Sequence, residues 1–135
     1  MSNVALLKNL EPIFALENEI LKHPQVEMPI TNEFCDGVYA RTMHIPANTV
    51  LTGAIHKHEC FFVVRSGIIV ITTDSDPVIL QGGDMRVTPP MTKRAGVAIT
   101  DCIITTFHKN EFELREEEDL FKFFSVDPKA LEVLQ

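Results

Sequence analysis

From Val26 to His108, apolar and polar side chains alternate in short runs broken by turn residues, while the flanking segments show helical apolar spacing. Within residues 3–22, Leu6, Leu10, Ile13, Leu16 or Glu17, Ile20 and Leu21 approximate an i, i+3, i+4, i+7 stripe. That stripe predicts a helix with one apolar face. Pro12 follows Asn9-Leu10-Glu11, and proline is best tolerated in a first turn, so a restart is predicted there. Turn chemistry then recurs at Asp36-Gly37, Pro46-Ala47-Asn48, Ser66-Gly67, Asp74-Ser75-Asp76-Pro77, Gln81-Gly82-Gly83-Asp84 and Thr100-Asp101. Short strands separated by roughly ten residues predict a mostly β fold, a closed antiparallel β-barrel or jelly roll. Residues 116–124 and 127–134 predict one broken or two short helices, with acids in the first turn and Asp127-Pro128 as a start signal. The expectation is one domain over residues 1–135: a helical arm at 1–25, a barrel at 26–109 and an acidic helical tail at 110–135.

Chemistry concentrates at His56-Lys57-His58, at the head of an apolar run that reads as a buried strand. In a strand, residues i and i+2 share a face, roughly 6.6 Å apart along the chain. Imidazole nitrogens bind a zinc-like ion at about 2.0–2.1 Å, so both side chains could converge on one metal. The parity would also send them where Phe62 and Val64 point, into an apolar interior. Neutral imidazoles there need polar partners, and a metal is one way to supply them. The competing expectation is a surface strand end with two solvated histidines. Cys60 has the inward parity of the two histidines, and Glu59 points outward unless a bulge reverses the order.

Gly53 through Gly67 contains a glycine, His-x-His, a glutamate and a hairpin glycine, and resembles the first signature of the cupins. Gly83 through Arg94, a glycine followed after five residues by a proline, resembles the second. Their order and separation fit. Pro24–Pro29, Gly37–Arg41, Ile55–Lys57, Pro89–Gly96 and Thr105–His108 are also similar to small single-domain cupins of tailed phages and prophages. The resemblance spans Gly37 to His108. It implies a cupin-type barrel with an N-terminal helical arm and short C-terminal helices. It further implies a divalent metal ion (Fe, Mn, Ni or Zn), usually held by three histidines and a glutamate, and pairing of copies through their sheets. It implies no particular reaction.

The chain departs from that pattern at two ligand positions. The positions expected for the first-signature glutamate hold Phe62 and Val63; counting back from Gly67 reaches Cys60, with Glu59 beside it. Either could inherit the role. The second-signature histidine position is Arg94, whose guanidinium has no lone pair for a metal. A hairpin folded about Asp101 would set His108 opposite Arg94 and offer a third nitrogen. The candidate metal set is therefore His56, His58 and His108 with Cys60 or Glu59. Arg94, Arg86 and Arg41 are the candidates for an anionic ligand. Arg94 either clamps a carboxylate or phosphate at the pocket mouth or pairs with Asp84 or Glu59. Lys93 has outward parity, His44 is expected in solvent, and His23 suits a helix C-terminus.

Composition adds limits. A chain of 135 residues can bury roughly two-thirds of its unfolded surface. Three scattered cysteines, Cys35, Cys60 and Cys102, suggest reduced thiols and hence the cytoplasm, the host's if the gene is a phage's. No apolar run approaches a membrane span, so no membrane partner is expected. The net charge of −7 is uneven: residues 1–36 hold six acids and two bases, 37–109 five and seven, and 110–135 eight and three. No basic stripe with interleaved aromatics is present, which argues against nucleic acid. Edge strands and the stripe Val4–Leu21 suggest a homodimer. Two functions remain: a metal-binding cupin acting on or binding a small, anionic molecule, or a non-catalytic module for ligand binding or protein interaction.

Overall fold

The computed structural model describes residues 3–127, with side chains from Leu10 onward. The second helix expected at 127–134 falls outside those residues except for its first. In chain order the elements are α1 (Asn3–Ile20), β1 (Ile30–Cys35), β2 (Val38–Ile45), β3 (Val50–Thr52), β4 (Ile55–His56), β5 (Cys60–Ser66) and β6 (Ile68–Ile71). These are followed by β7 (Val78–Gln81), β8 (Met85–Thr88), β9 (Ala95–Ala98), β10 (Cys102–Lys109), α2 (Glu117–Phe124) and β11 (Ser125–Val126). The protein is mostly β, and every strand pair among the described residues is antiparallel.

The strands form a five-stranded sheet ordered β1-β2-β10-β5-β8, a four-stranded sheet ordered β3-β9-β6-β7, and the pair β4-β11. Among the described residues no ladder joins the sheets, so the expected closed barrel is instead an open jelly-roll sandwich. Two consecutive prolines after β8, Pro89 and Pro90, remove the N–H donors that a continuing ladder would need. The hairpin expected about Asp101 does not form either. Asp101 is where the chain crosses from β9 in one sheet to β10 in the other, and its Oδ1 accepts a 2.8 Å hydrogen bond from the Ala47 N–H.

Strand β10 is paired along both edges, with β2 and β5. Its alternation sends Ile104, Thr106 and His108 inward, and the registers carry this parity to Met43, Arg41 and Tyr39 on β2. A core of Ile45, Val64, Ile69, Ile71, Leu80, Ala98, Cys102 and Ile104 fills one part of the space between the sheets. Opposite parity leaves Phe61, Phe107 and Val87 exposed in one register row on the outer face.

The flanking helices close one end. Helix α1 runs through Pro12 without the expected restart. Loss of one i→i−4 bond there costs about 3 kcal/mol, offset by packing of Leu10, Ile13 and Phe14 against Ile55, Met91 and Val126. Leu10, Ile13 and Phe14 of this stripe are thus taken up within the chain, whereas Leu21 at its end stays exposed. Helix α2 is anchored by buried Asn110, whose Nδ2 donates to the Leu114 carbonyl and whose Oδ1 accepts from its N–H, both at 2.9 Å. Strand β11 then pairs with β4, placing Ser125 opposite His56. The tail therefore adds a strand to the sandwich as well as a helix. No described helix is long and apolar enough to cross a membrane.

Two glycine substitutions test the turns. Gly67 has φ +90°, and an added Cβ would overlap the Asp101 carbonyl oxygen and Cys102; Gly83 has φ +98° with open space around it. Gly83→Ala is expected to cost about 1–3 kcal/mol from backbone strain, and Gly67→Ala distinctly more because the crossover must also shift. Equal shifts in urea midpoint would contradict this difference.

A charged cavity between the sheets

The two sheets and the helical end enclose a cavity of about 950 Å³. Its wall from the five-stranded sheet follows the β10 register. The inward row at Thr106 contains Arg41, Thr106, Phe62 and Arg86, and the next row toward the core contains Met43, Ile104 and Val64. In the opposite direction the rows end at Tyr39 and His108, with Cys60 and Thr88 paired on the neighbouring strands. Leu51, Ile69 and Ile71 supply apolar wall from the other sheet, and Arg94 enters beside them from the residue before β9. The cavity is polar at one end and apolar at the other.

At the polar end His56 and His108 meet edge to face, ring centroids 5.5 Å apart. Phe124 from α2 stacks on His108 at 4.7 Å and lies edge-on to His56 at 5.9 Å. His56 Nδ1 is 3.7 Å from Cys60 Sγ, and His108 Nε2 is 2.7 Å from Thr106 Oγ1. Burial, aided by Arg41, Arg94 and Lys93, pushes His56 down to about 4. Burial, aided by His56 and Arg41, pushes His108 to about 3. Both imidazoles are neutral near pH 7, and burial also raises the Cys60 thiol.

His58 does not join them. Strand β4 ends at His56 and Lys57 and His58 form a bend, so the i, i+2 parity assumed for the pair is lost. The His58 ring packs 5.1 Å from Phe123 and is not part of the cavity wall; its Nε2 is shielded without a hydrogen-bond partner. Burial, then Lys109 and Lys57, lower its pKa. Glu59 is exposed. His108 lies opposite Tyr39 rather than Arg94, yet reaches His56 because both face the same space. His44 and His23 are exposed as expected.

The arginines sort differently. Arg94 lines the cavity with its Cζ 6.0 Å from the Phe62 ring, at the outer limit of a cation–π contact. Its Nε and Nη1 are shielded from solvent and donate to nothing. The expected alternative partners are elsewhere: Asp84 accepts from the Gln81 N–H at 2.8 Å, and Glu59 faces solvent. Burial lowers the Arg94 pKa. Arg41 also lines the cavity, whereas Arg86 is exposed at the end of its row and outside the wall. Lys93, expected outward, is buried: its Nζ is 2.7 Å from Glu17 Oε2 and 2.6 Å from the Gly53 carbonyl oxygen. Glu17 also accepts from Thr52 Oγ1 at 2.6 Å. The ambiguous Leu16-or-Glu17 position was the signal in the sequence for this anchor. Thr106 could have been found from its parity with His108; nothing in the sequence pointed to Phe124.

These side chains do not fit the metal set that the family resemblance implies. His56, His108 and Cys60 converge, but His58 and Glu59 stand apart, and both imidazoles already engage protein groups. Among the described residues no group of three or more His, Cys, Asp or Glu side chains could hold a metal ion.

No family model matches this chain, and no curated protein does. Solved structures match its fold. A cupin superfamily protein from Desulfitobacterium hafniense DCB-2 is 12% identical with TM-score 0.54, over 64% of this chain and 81% of that one. KdgF from Halomonas sp. is 18% identical with TM-score 0.54, over 73% and 94%. A mutant salicylate 1,2-dioxygenase from Pseudoaminobacter salicylatoxidans is 16% identical with TM-score 0.58, over 87% of this chain but 36% of the other. At these identities the likeness shows the fold, which is that of the cupins.

The buried neutral histidines give a pH prediction. Below about 6.5 the unfolded chain takes up protons at His56 and His108 that the folded protein refuses. Stability is therefore full above that pH and falls as pH drops through the window toward 4 for His56 and 3 for His108. The slope is at most about 1.4 kcal/mol per pH unit per histidine. His108→Gln is expected to flatten the loss between about pH 6 and pH 5, measured by urea denaturation. An unchanged slope would contradict a neutral, buried His108.

Proposed function

We propose that this cupin-fold chain binds a small anionic molecule in the cavity between its sheets, with Arg94 holding the anionic group. The observation that carries the reading is the pair of shielded, unpartnered N–H groups of Arg94. Guanidinium N–H groups kept from water without a hydrogen-bond acceptor are costly, and a carboxylate or phosphate oxygen would satisfy them through charge-assisted hydrogen bonds. Arg41 adds positive potential from the opposite sheet. His56 and His108, both neutral, offer polar edges without adding charge. The two histidines and Cys60 do not make up a metal site, so no step is assigned to a metal, and no reaction is assigned to the cavity.

Arg94→Met is the decisive variant, since it keeps bulk and removes the charge. It is expected to raise the stability of the ligand-free protein by about 1–3 kcal/mol. It should also abolish saturable calorimetric binding of whichever of benzoate and inorganic phosphate the wild type takes up. Loss of stability with binding unchanged would make Arg94 structural and overturn the reading. Metal analysis of protein prepared without an affinity tag is the second check, with substoichiometric Fe, Mn, Ni and Zn expected. Stoichiometric metal that His56→Ala or His108→Ala removes would replace the anion reading with a metal-binding one.

A further inference from the structure

The cavity wall carries a gradient that says more about the ligand than its charge. Along β10 the inward positions read His108, Thr106, Ile104, from the polar end toward the core. Strand β2 repeats it in register as Tyr39, Arg41, Met43 and then Ile45. Polar chemistry therefore ends at the Thr106–Arg41 row, where Phe62 lies under Arg94. From Arg41 to Ile45 is four residues, about 14 Å of strand, and wall beyond the first row is aliphatic. Ile69 and Ile71 extend the aliphatic wall on the facing sheet.

An inorganic anion would satisfy Arg94 but leave this apolar space unfilled. A sugar phosphate or nucleotide would place hydroxyls or ring nitrogens against aliphatic side chains that cannot hydrogen-bond them, at a cost for each. We propose that the ligand is an amphipathic monocarboxylate, its carboxylate on Arg94 at the Thr106 row and its apolar body directed toward Ile104, Ile69 and Ile71. This rests on the reading of Arg94 as an anion anchor and adds the class of the molecule. The two ends contribute separately: the guanidinium fixes the head group, and burial of each methylene adds affinity until the floor is reached.

The test is calorimetry on the intact protein with straight-chain carboxylates from acetate to octanoate, together with octan-1-ol, suberate and inorganic phosphate. Affinity is expected to rise by up to about fourfold per buried methylene. Octanoate should exceed octan-1-ol at least tenfold, since the alcohol lacks the charge. It should likewise exceed suberate, which has the same chain length but would carry a second carboxylate into the aliphatic end. Arg94→Gln should erase the preference for octanoate over octan-1-ol while leaving some affinity for both.

The contrary outcomes are separable. Phosphate or suberate binding in an Arg94-dependent way, with octanoate excluded, would overturn the amphipathic class and leave the anion anchor standing. Octan-1-ol equal to octanoate, with Arg94→Gln without effect, would overturn the charged anchor. No binding by any of these probes would overturn both.

Discussion

The register of β10 between β2 and β5 is the constraint on which the rest depends. A strand paired on both edges cannot slip by one residue without exchanging every inward side chain for an outward one. Here a slip would expel Ile104 from the core, and Thr106 and His108 from the cavity, in one step. The ladder that packs the core thus also fixes Thr106, His108 and, through β2, Arg41, while Arg94 and His56 enter from the segment before β9 and from β4. The crossover at Asp101 delivers the chain into this slot. Gly67 permits the close approach there because any side chain would meet the Asp101 carbonyl.

Charge then decides what the cavity can hold. A guanidinium and a divalent ion repel, at roughly 4 kcal/mol per unit charge pair for 4 Å and an effective dielectric of 20. Arg94 stands where the family resemblance expects a metal-ligating histidine, and Arg41 faces the same space. Both depress the His56 pKa. Lys93, a buried cation at the wall, is neutralised by Glu17 of α1, which ties that helix to the mouth. Arg94, at the boundary between polar and aliphatic wall, keeps its shielded Nε and Nη1 without a hydrogen-bond partner.

Much of this was legible in the sequence because it follows from two-residue periodicity and turn chemistry. The turns at Ser66-Gly67 and Gln81–Asp84 follow from turn chemistry and the inward Phe62, Val64 and Cys60 from parity, whereas Arg94 was marked by the family resemblance and Arg41 by its charge. His58 was misread because parity holds only within a continuous strand, and the chain bends after His56. The proposed hairpin at Asp101 failed because a turn signal cannot say whether the next strand stays in the same sheet. Lys93 went wrong for a different reason. Its burial depends on a partner 76 positions away in α1, and no local pattern reports such a pair. Closure of the polar end by Phe124 is likewise tertiary, set by β11 pairing with β4.

The central claim is that the Arg94 N–H groups await an anion. Nitrogen-15 NMR of the arginine side chains tests it at the atom concerned. On titration with octanoate, the Arg94 Nε–H resonance is predicted to move downfield and saturate, and its exchange with water to slow. The Nε–H signals of Arg65 and Arg115, exposed on the surface, should stay in place. An Arg94 Nε–H that does not respond while octanoate binds, or that moves no more than those of Arg65 and Arg115, would contradict the account.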